Sequence, residues 1–354
     1  MCRSSLHPLL VALPKCEQHM HLEGSLSPEL LFTLATRNKI DLPSASDDPS
    51  FASPAALHDR YTMFTSLDNF LHYYFVGMSV LIHEQDFEEL AYQYFLRAKA
   101  DGVVHAEVFY DPQAHTKRRI AYATVTGGFI KACKRAESEL GISTKLILCF
   151  LRHLPVTEAS STYEVAEEDL KVGTLAGIGL DSSEKGFPPG AWKGLYHKAK
   201  ASGIHRTAHA GEEGPVEYIR EALHSLDVER IDHGIRLAED PELIREVVDR
   251  GVLVTVCPLS NVRLQCVKAI EDLPIRRFLD AGVKFSINSD DPAYFGGYIL
   301  DNYCAVQEAF DLTANDWRKI TASAVQGSWC DNGRKEAILR DVEEVISKYV
   351  TYNH

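Results

Sequence analysis

Four short motifs hold residues able to bind a metal and move protons: His19-Met20-His21, His209-Ala210-Gly211-Glu212, Ile231-Asp232-His233-Gly234 and Ser289-Asp290-Asp291-Pro292. On an extended strand, side chains i and i+2 point the same way, so His19 and His21 converge while Met20 faces away. Two imidazoles on one face suit Zn²⁺, which accepts nitrogen and carboxylate ligands. His209 adds a third imidazole. Glu212 lies three residues beyond it, past the pleat, where it can reach a molecule bound beside the metal. Asp290 and Asp291 repel each other unless a cation is near. A metal on Asp290 relieves that repulsion and leaves Asp291 free to accept a hydrogen bond from a substrate. His233 supplies a fourth imidazole, and its neighbour Asp232 either orients a ring or forms a structural pair. Each motif alone has a plainer meaning: a core histidine pair, a solvated loop carboxylate, an Asp-Asp-Pro turn. Four of them in this order, each closing an apolar run, read as a mononuclear metal site that activates water.

Such residues must be carried to one place, and the intervening pattern indicates how. Short apolar or β-branched runs occur at 16–21, 103–110, 145–151, 176–181, 206–210, 230–234, 252–257 and 284–288, each ending in polar residues as strands do. Between them lie helical patterns. Phe87, Leu90, Ala91, Tyr94 and Ala98 recur at helical spacing within 86–101. Asp240-Pro241 and Ser27-Pro28 are helix-start signals, and Gly251 stands where a helix would stop. Eight strand–helix units in series predict an α/β fold, a (β/α)8 TIM barrel, as one domain over residues 1–354. The stretch from about 22 to 100 is too long for one connection and predicts extra helices after strand 1, including a lid. Residues 43–57, rich in Ser, Ala, Asp and Pro, predict an exposed loop. Residues 301–349 predict C-terminal helices outside the barrel. In such barrels chemistry sits at the C-terminal strand ends, where His19, His21, His209, His233 and Asp290 all fall. A doubly wound sheet is the alternative, but His-Leu-Glu-Gly-Ser after the first strand is not a phosphate-binding glycine loop.

The chain has 354 residues, 45% of them hydrophobic, with a formal net charge of −13. That charge disfavours a nucleic-acid or anionic-membrane surface, and no apolar run approaches a membrane span. Residues 1–14 hold no convincing signal-peptide core. Eight cysteines without a Cys-x-x-Cys pair point to thiols in a reducing compartment. The other histidines (7, 58, 72, 83, 105, 115, 153, 197, 205, 224 and 354) lack the same convergence and read as surface or core residues.

Over residues 13–292 the chain resembles the adenosine/adenine deaminase branch of the amidohydrolase superfamily. The resemblance rests on Leu13 to Leu26, Gly177-Ile-Gly-Leu-Asp, His209-Ala-Gly-Glu-Glu, Arg230-Ile-Asp-His-Gly, Cys257-Pro-Leu-Ser-Asn and Ser289-Asp-Asp-Pro. The run Ser-Asp-Asp-Pro-Ala-Tyr-Phe-Gly-Gly is most similar to fungal-type adenine deaminases, which act on the free base. The resemblance implies one zinc held by His19, His21, His209 and Asp290. It makes Glu212 the proton donor to the purine ring and His233 the group that orients the attacking hydroxide. Asp291 would meet the imidazole edge of the purine, and Gly179 would meet the ring through its backbone. It further implies a small-molecule purine substrate, a role in purine salvage, and a cytoplasmic and nuclear location.

Two departures bear on the substrate. Gln18 stands where many relatives carry an apolar residue, and it points away from His19. Glu23 replaces the Asp that in adenosine-selective relatives contacts ribose; the longer side chain favours adenine, by filling that space or contacting the base. Adenosine and N6-substituted adenines are the alternative substrates, and an inactive purine-binding barrel is the alternative from another class. The zinc deaminases of nucleic-acid editing need Pro-Cys-x-x-Cys, absent here. A binuclear site would need a bridging Lys or Glu at the fourth strand end, where this chain has Gly-Leu-Asp, with Lys185 further out.

Overall fold

A computed structural model describes residues 3–350; Met1, Cys2 and His354, touched on above, lie outside them. Eight parallel strands follow one another around a barrel in chain order. They are β1 (Lys15–Glu17), β2 (Val103–Tyr110), β3 (Ser143–Leu151), β4 (Gly177–Asp181), β5 (His205–Ala210), β6 (Arg230–His233), β7 (Leu253–Val256) and β8 (Phe285–Ile287). Helices cover them outside and side chains fill the inside, so nearly every strand residue is buried, as expected of parallel strands covered on both faces. Among the described residues no helix is long and apolar enough to cross a membrane.

Local chemistry explains the helices. In the Pro241–Arg250 helix the Asp240 carboxylate accepts from the backbone N–H of Glu242 and Leu243, and Gly251 ends it at φ 66°. These are the N-cap and left-handed stop that the sequence signals. Ser27 caps the Pro28–Asn38 helix through the N–H of Leu30. The long insertion holds helices Pro28–Asn38, Pro54–Tyr61, Leu67–Met78 and Glu84–Ala100. Residues 43–57 are only partly the expected loop. Asp48 and Ser53, each followed by Pro, cap a 3-10 turn at Pro49–Ala52 and the Pro54–Tyr61 helix, and Phe51 is buried. At the C-terminus, helices Ile299–Phe310, Ala314–Gly327 and Asn332–Val350 stand as expected.

The first strand is shorter than its apolar run suggests. β1 ends at Glu17, because the Gln18 backbone N–H turns to the Asn288 side chain at 2.8 Å. Beyond it the chain is stitched by single bridges, Met20 to Asp290 and His21 to Phe109. Asp290 N–H donates to His19 O at 3.0 Å and His21 N–H donates to Asp290 O at 2.9 Å. These bonds close the seam between β1 and β8. Gln18 does point away from His19, but it is tied in place: its amide donates to Ala324 O and Ser328 Oγ, which anchors the Ala314–Gly327 helix.

The other end of the barrel is sealed by a buried ion pair. Arg230, which opens β6, meets Glu107 of β2 across the barrel interior, and both are fully buried. His105 adds a contact to Glu107 at 2.9 Å, and the Trp329 ring lies 4.3 Å from the guanidinium. Despite burial, the Arg230 charge holds the Glu107 carboxyl down at about 2. An unfolded Glu protonates near pH 4.5, so the pair stabilises the fold at neutral pH and the benefit is lost as pH falls from about 4.5 toward 2. Glu107→Ala leaves the Arg230 charge unpaired and is expected to cost about 3–5 kcal/mol in urea unfolding at pH 7. The variant's loss of stability between pH 4.5 and 2 should also be shallower than that of the unaltered chain.

Candidate functional site

The predicted ligands meet at the C-terminal end of the barrel. His209 stands next to last in β5, His233 ends β6, His19 and His21 follow β1, and Asp290 follows β8. Two of these positions have left-handed backbone although neither is glycine, His233 at φ 61° and Asp290 at φ 64°. Non-glycine residues rarely hold that conformation unless the surroundings over-determine it. Here the seam bonds of Asp290 do so.

His19 Nε2 lies 3.2 Å from Asp290 Oδ1, His21 Nε2 lies 3.5 Å from the same oxygen, and His21 Nε2 lies 3.1 Å from His209 Nε2. Four ligands around a metal at about 2.1 Å would stand about 3.4 Å apart. His19 Nε2 is fully buried with no hydrogen-bond partner, an orphan that a metal would satisfy. The donor set and its spacing therefore fit a divalent cation. Cys257 also comes within reach of His19, His233 and Asp290, but burial pushes its thiol well up and keeps it protonated.

Behind the rings lies a layer of acceptors. Asp232 Oδ2 approaches His209 Nδ1 at 3.4 Å, and Thr207 and Thr255 hydroxyls donate to its two oxygens at 2.7 and 3.0 Å. Thr255 Oγ1 in turn meets His19 Nδ1 at 2.9 Å. Asp181 Oδ2 stands 3.5 Å from His21 Nδ1. Asp232 thus orients imidazoles, settling the choice the sequence left open. Such partners fix the ring rotation and tautomer of a ligand histidine.

Glu212 is buried, with Oε2 3.6 Å from His233 Nε2. Burial, then the nearby Asp290 and Glu184 charges, raise its pKa well above the usual carboxyl range. Asn261, from the Cys-Pro-Leu-Ser-Asn motif, donates to His233 Nδ1 at 3.2 Å. His233 Nε2 therefore carries the hydrogen in the neutral ring, and burial keeps the ring neutral by pushing its pKa well below the ordinary value. Asp291 is buried with Oδ1 unpartnered, and burial with the Asp290 charge raises its pKa. Gly24 is required beneath it, because a Cβ there would stand 2.0 Å from Asp291 Oδ1.

Two expected contacts sit differently. Gly179 is inside β4 against Cys149, whose sulfur would lie 2.5 Å from an added Cβ, and it is not on the cavity wall; Asp181 and Ser182, at the end of that strand, are. Glu23 is also off the wall. Its Oε1 accepts from the backbone N–H of Asp111 and from His115, and Asp111 is the residue that lines the cavity. Lys185 lies outside the site, paired with Glu213 at 2.9 Å, and that pairing leaves Glu213 mostly covered rather than solvated.

Sequence reasoning missed Glu184. Its carboxylate accepts from four successive backbone N–H groups, those of Gly211, Glu212, Glu213 and Gly214, at 2.5–3.1 Å. It therefore holds the loop that carries Glu212. No spacing rule signals this partnership, because Glu184 lies 28 residues before Glu212. The cavity is small, about 30 Å³, and Leu67, Phe70, Leu71 and Tyr74 of the Leu67–Met78 helix roof it.

The fold and site define a metal-dependent hydrolase, and residues 14–345 match the adenosine deaminase family model. The chain belongs to this family. It is 57% identical over 351 residues to adenine deaminase of Aspergillus fumigatus, covering 99% of each chain. The crystal structure of adenine deaminase from Arthrobacter aurescens superposes with a TM-score of 0.89 at 43% identity, covering 95% of this chain and 100% of that one. An amidohydrolase from Burkhoderia ambifaria with bound Zn superposes at 0.81, with 25% identity, over 99% and 98% of the two chains.

His209→Ala is expected to abolish metal binding together with turnover; a full equivalent of metal by elemental analysis would remove His209 from the ligand set. Glu184→Ala is expected to keep the metal and lose roughly 100-fold in kcat, since misplacing a catalytic group by about 1 Å costs that much. Metal content and steady-state rates on one preparation check both.

Proposed function

We propose that the chain is a zinc-dependent adenine deaminase, converting adenine and water to hypoxanthine and ammonia in purine salvage. The observation that carries the chemistry is a buried Glu212, its pKa raised by burial, facing His233 beside the three-histidine, one-aspartate cage. Adenine as the substrate is supported by the Aspergillus relative. Zinc is supported by the nitrogen-rich donor set and by the metal named for the Burkhoderia structure. When bound, zinc makes a coordinated water acidic enough to attack at neutral pH.

The chain's own residues do the rest. Adenine C6 is a poor electrophile until N1 is protonated. Glu212 holds a proton at neutral pH because burial raises its pKa, and it delivers that proton to N1. The Nε2 hydrogen of His233 points toward Glu212 and Asp290, where it holds the attacking oxygen on the face of C6 and offsets charge growing there. Asp291 meets the imidazole edge of the purine and sets its rotation. Glu212 regains a proton from the consumed water, and the other water proton leaves with the amino group as ammonia. The Leu67–Met78 roof excludes bulk water, which would otherwise return Glu212 to its ionised form.

Glu212→Gln is expected to retain zinc while kcat falls by about 10²–10⁴-fold; near-normal turnover would take Glu212 out of the mechanism. Ammonia release from adenine, adenosine, AMP and N6-methyladenine on one zinc-loaded preparation tests the substrate. Adenine is expected to give the highest kcat/KM, and a preference for adenosine would reverse the assignment.

A further inference from the structure

Adenine differs from its nucleosides at one ring atom: the free base carries a hydrogen on N9, where a nucleoside carries ribose. In a closed cavity that N–H needs an acceptor. With N1 at Glu212 and N7 at Asp291, the N9 edge faces away from both, toward the ends of β2 and β4. Two carboxyls there have unpartnered oxygens; Asp181 turns its Oδ2 to His21 Nδ1 at 3.5 Å, which leaves Asp111. It follows directly after β2, lines the cavity, is 2% exposed, and its Oδ1 has no hydrogen-bond partner. We propose that Asp111 Oδ1 accepts the N9 hydrogen of the free base and thereby sets the preference for a base over a nucleoside. This inference rests on the reading of adenine as substrate.

Neighbouring bonds aim the carboxyl. The Asp111 backbone N–H donates to Glu23 Oε1 at 3.1 Å, and His115 Nε2 meets the same oxygen at 3.0 Å. Arg118, a donor only, bonds His115 Nδ1 at 2.7 Å, so His115 must carry its hydrogen on Nε2 and donate it to Glu23. Glu23 thus acts as a positioning residue: it holds Asp111 from behind. Carboxyl oxygens of Asp111 and Asp181 come within 4.8 Å of each other and of a His21 ring nitrogen, with no cationic side chain among that group. Asp111 Oδ1 itself is left without a protein donor. A ligand N–H supplies one. A ribose on N9 would supply none at that atom and would press against Asp111.

The test compares adenine with 9-methyladenine on the zinc-loaded chain, on Asp111→Ala and on Asp111→Asn, with zinc content measured throughout. The unaltered chain is expected to favour adenine by about 100-fold or more in kcat/KM, because a site built around a substrate N–H rejects analogues that lack it. Asp111→Ala should lose most activity on adenine but not on 9-methyladenine, bringing the ratio below about tenfold. Asp111→Asn keeps an acceptor oxygen and should keep most of the preference. An unaltered chain that uses both bases within tenfold overturns the inference without any variant. So does an Asp111→Ala protein that keeps the ratio or loses both activities equally. Zinc-loaded chain that releases no ammonia from adenine overturns the underlying reading of the substrate instead.

Discussion

Negative charge withdrawn from water is the constraint around which the catalytic end of the barrel is arranged. Asp181, Asp232, Asp290, Asp291 and Glu212 are all buried there. An unmet buried carboxylate costs several kcal/mol, and the structure meets each in one of three ways. Asp232 is kept ionised by two threonine hydroxyls and by His209. Glu212, Asp291 and Asp181 are pushed toward the protonated form. Asp290 is ringed by imidazoles at the place a divalent cation fits. Asp290 also supplies the backbone bonds that close β8 against the chain after β1. Ligand geometry and barrel closure therefore depend on the same residue, so the seam cannot loosen without spreading the cage.

The two ends of the barrel divide the work. Arg230 and Glu107 satisfy each other at the closed end and engage Trp329 and Gln18, so the fold's main buried charge pair lies away from the chemistry. At the open end, polar groups serve orientation. Glu184 directs both carboxylate oxygens at four loop N–H groups, and Asn261 fixes which nitrogen of His233 bears hydrogen. Both act on groups that must be placed to within a fraction of an ångström. Conservative-looking changes at either would leave the fold standing and move the chemistry.

Much of this was legible in the amino-acid order, for reasons that follow from range. Strands and caps are local: alternation, Asp240-Pro241 and Gly251 carry their own physics, and each apolar run holds a strand, β1 only at the start of its run. The clustering of the candidate ligands was legible because barrel topology gathers strand ends, so position in the chain implied position in space. What depends on contacts between distant residues was not. Glu184 reads as an ordinary loop carboxylate until its four backbone donors are seen. Glu23 looked like a substrate contact because its partner His115 is 92 residues away. The left-handed backbone at His233 and Asp290 has no glycine to announce it. Gly179 was chosen by motif; it shares the inward face with Asp181 but lies deeper in the strand, packed against Cys149.

The insertion between β1 and β2 ties these observations together, although it contains no catalytic motif. Its Leu67–Met78 helix covers the cavity with apolar and aromatic side chains. Just past that helix, the carbonyls of Ser79 and Leu81 accept from Arg118, the same guanidinium that fixes the His115 tautomer and, through it, Glu23 and Asp111. The roof and the carboxyl wall are therefore braced by one cation. A protonated Glu212 requires a dry cavity, and a dry cavity makes every unmatched polar atom of the ligand costly. The desolvation that makes the acid also sharpens discrimination at the purine edge, so a roof that opened more widely would weaken both together.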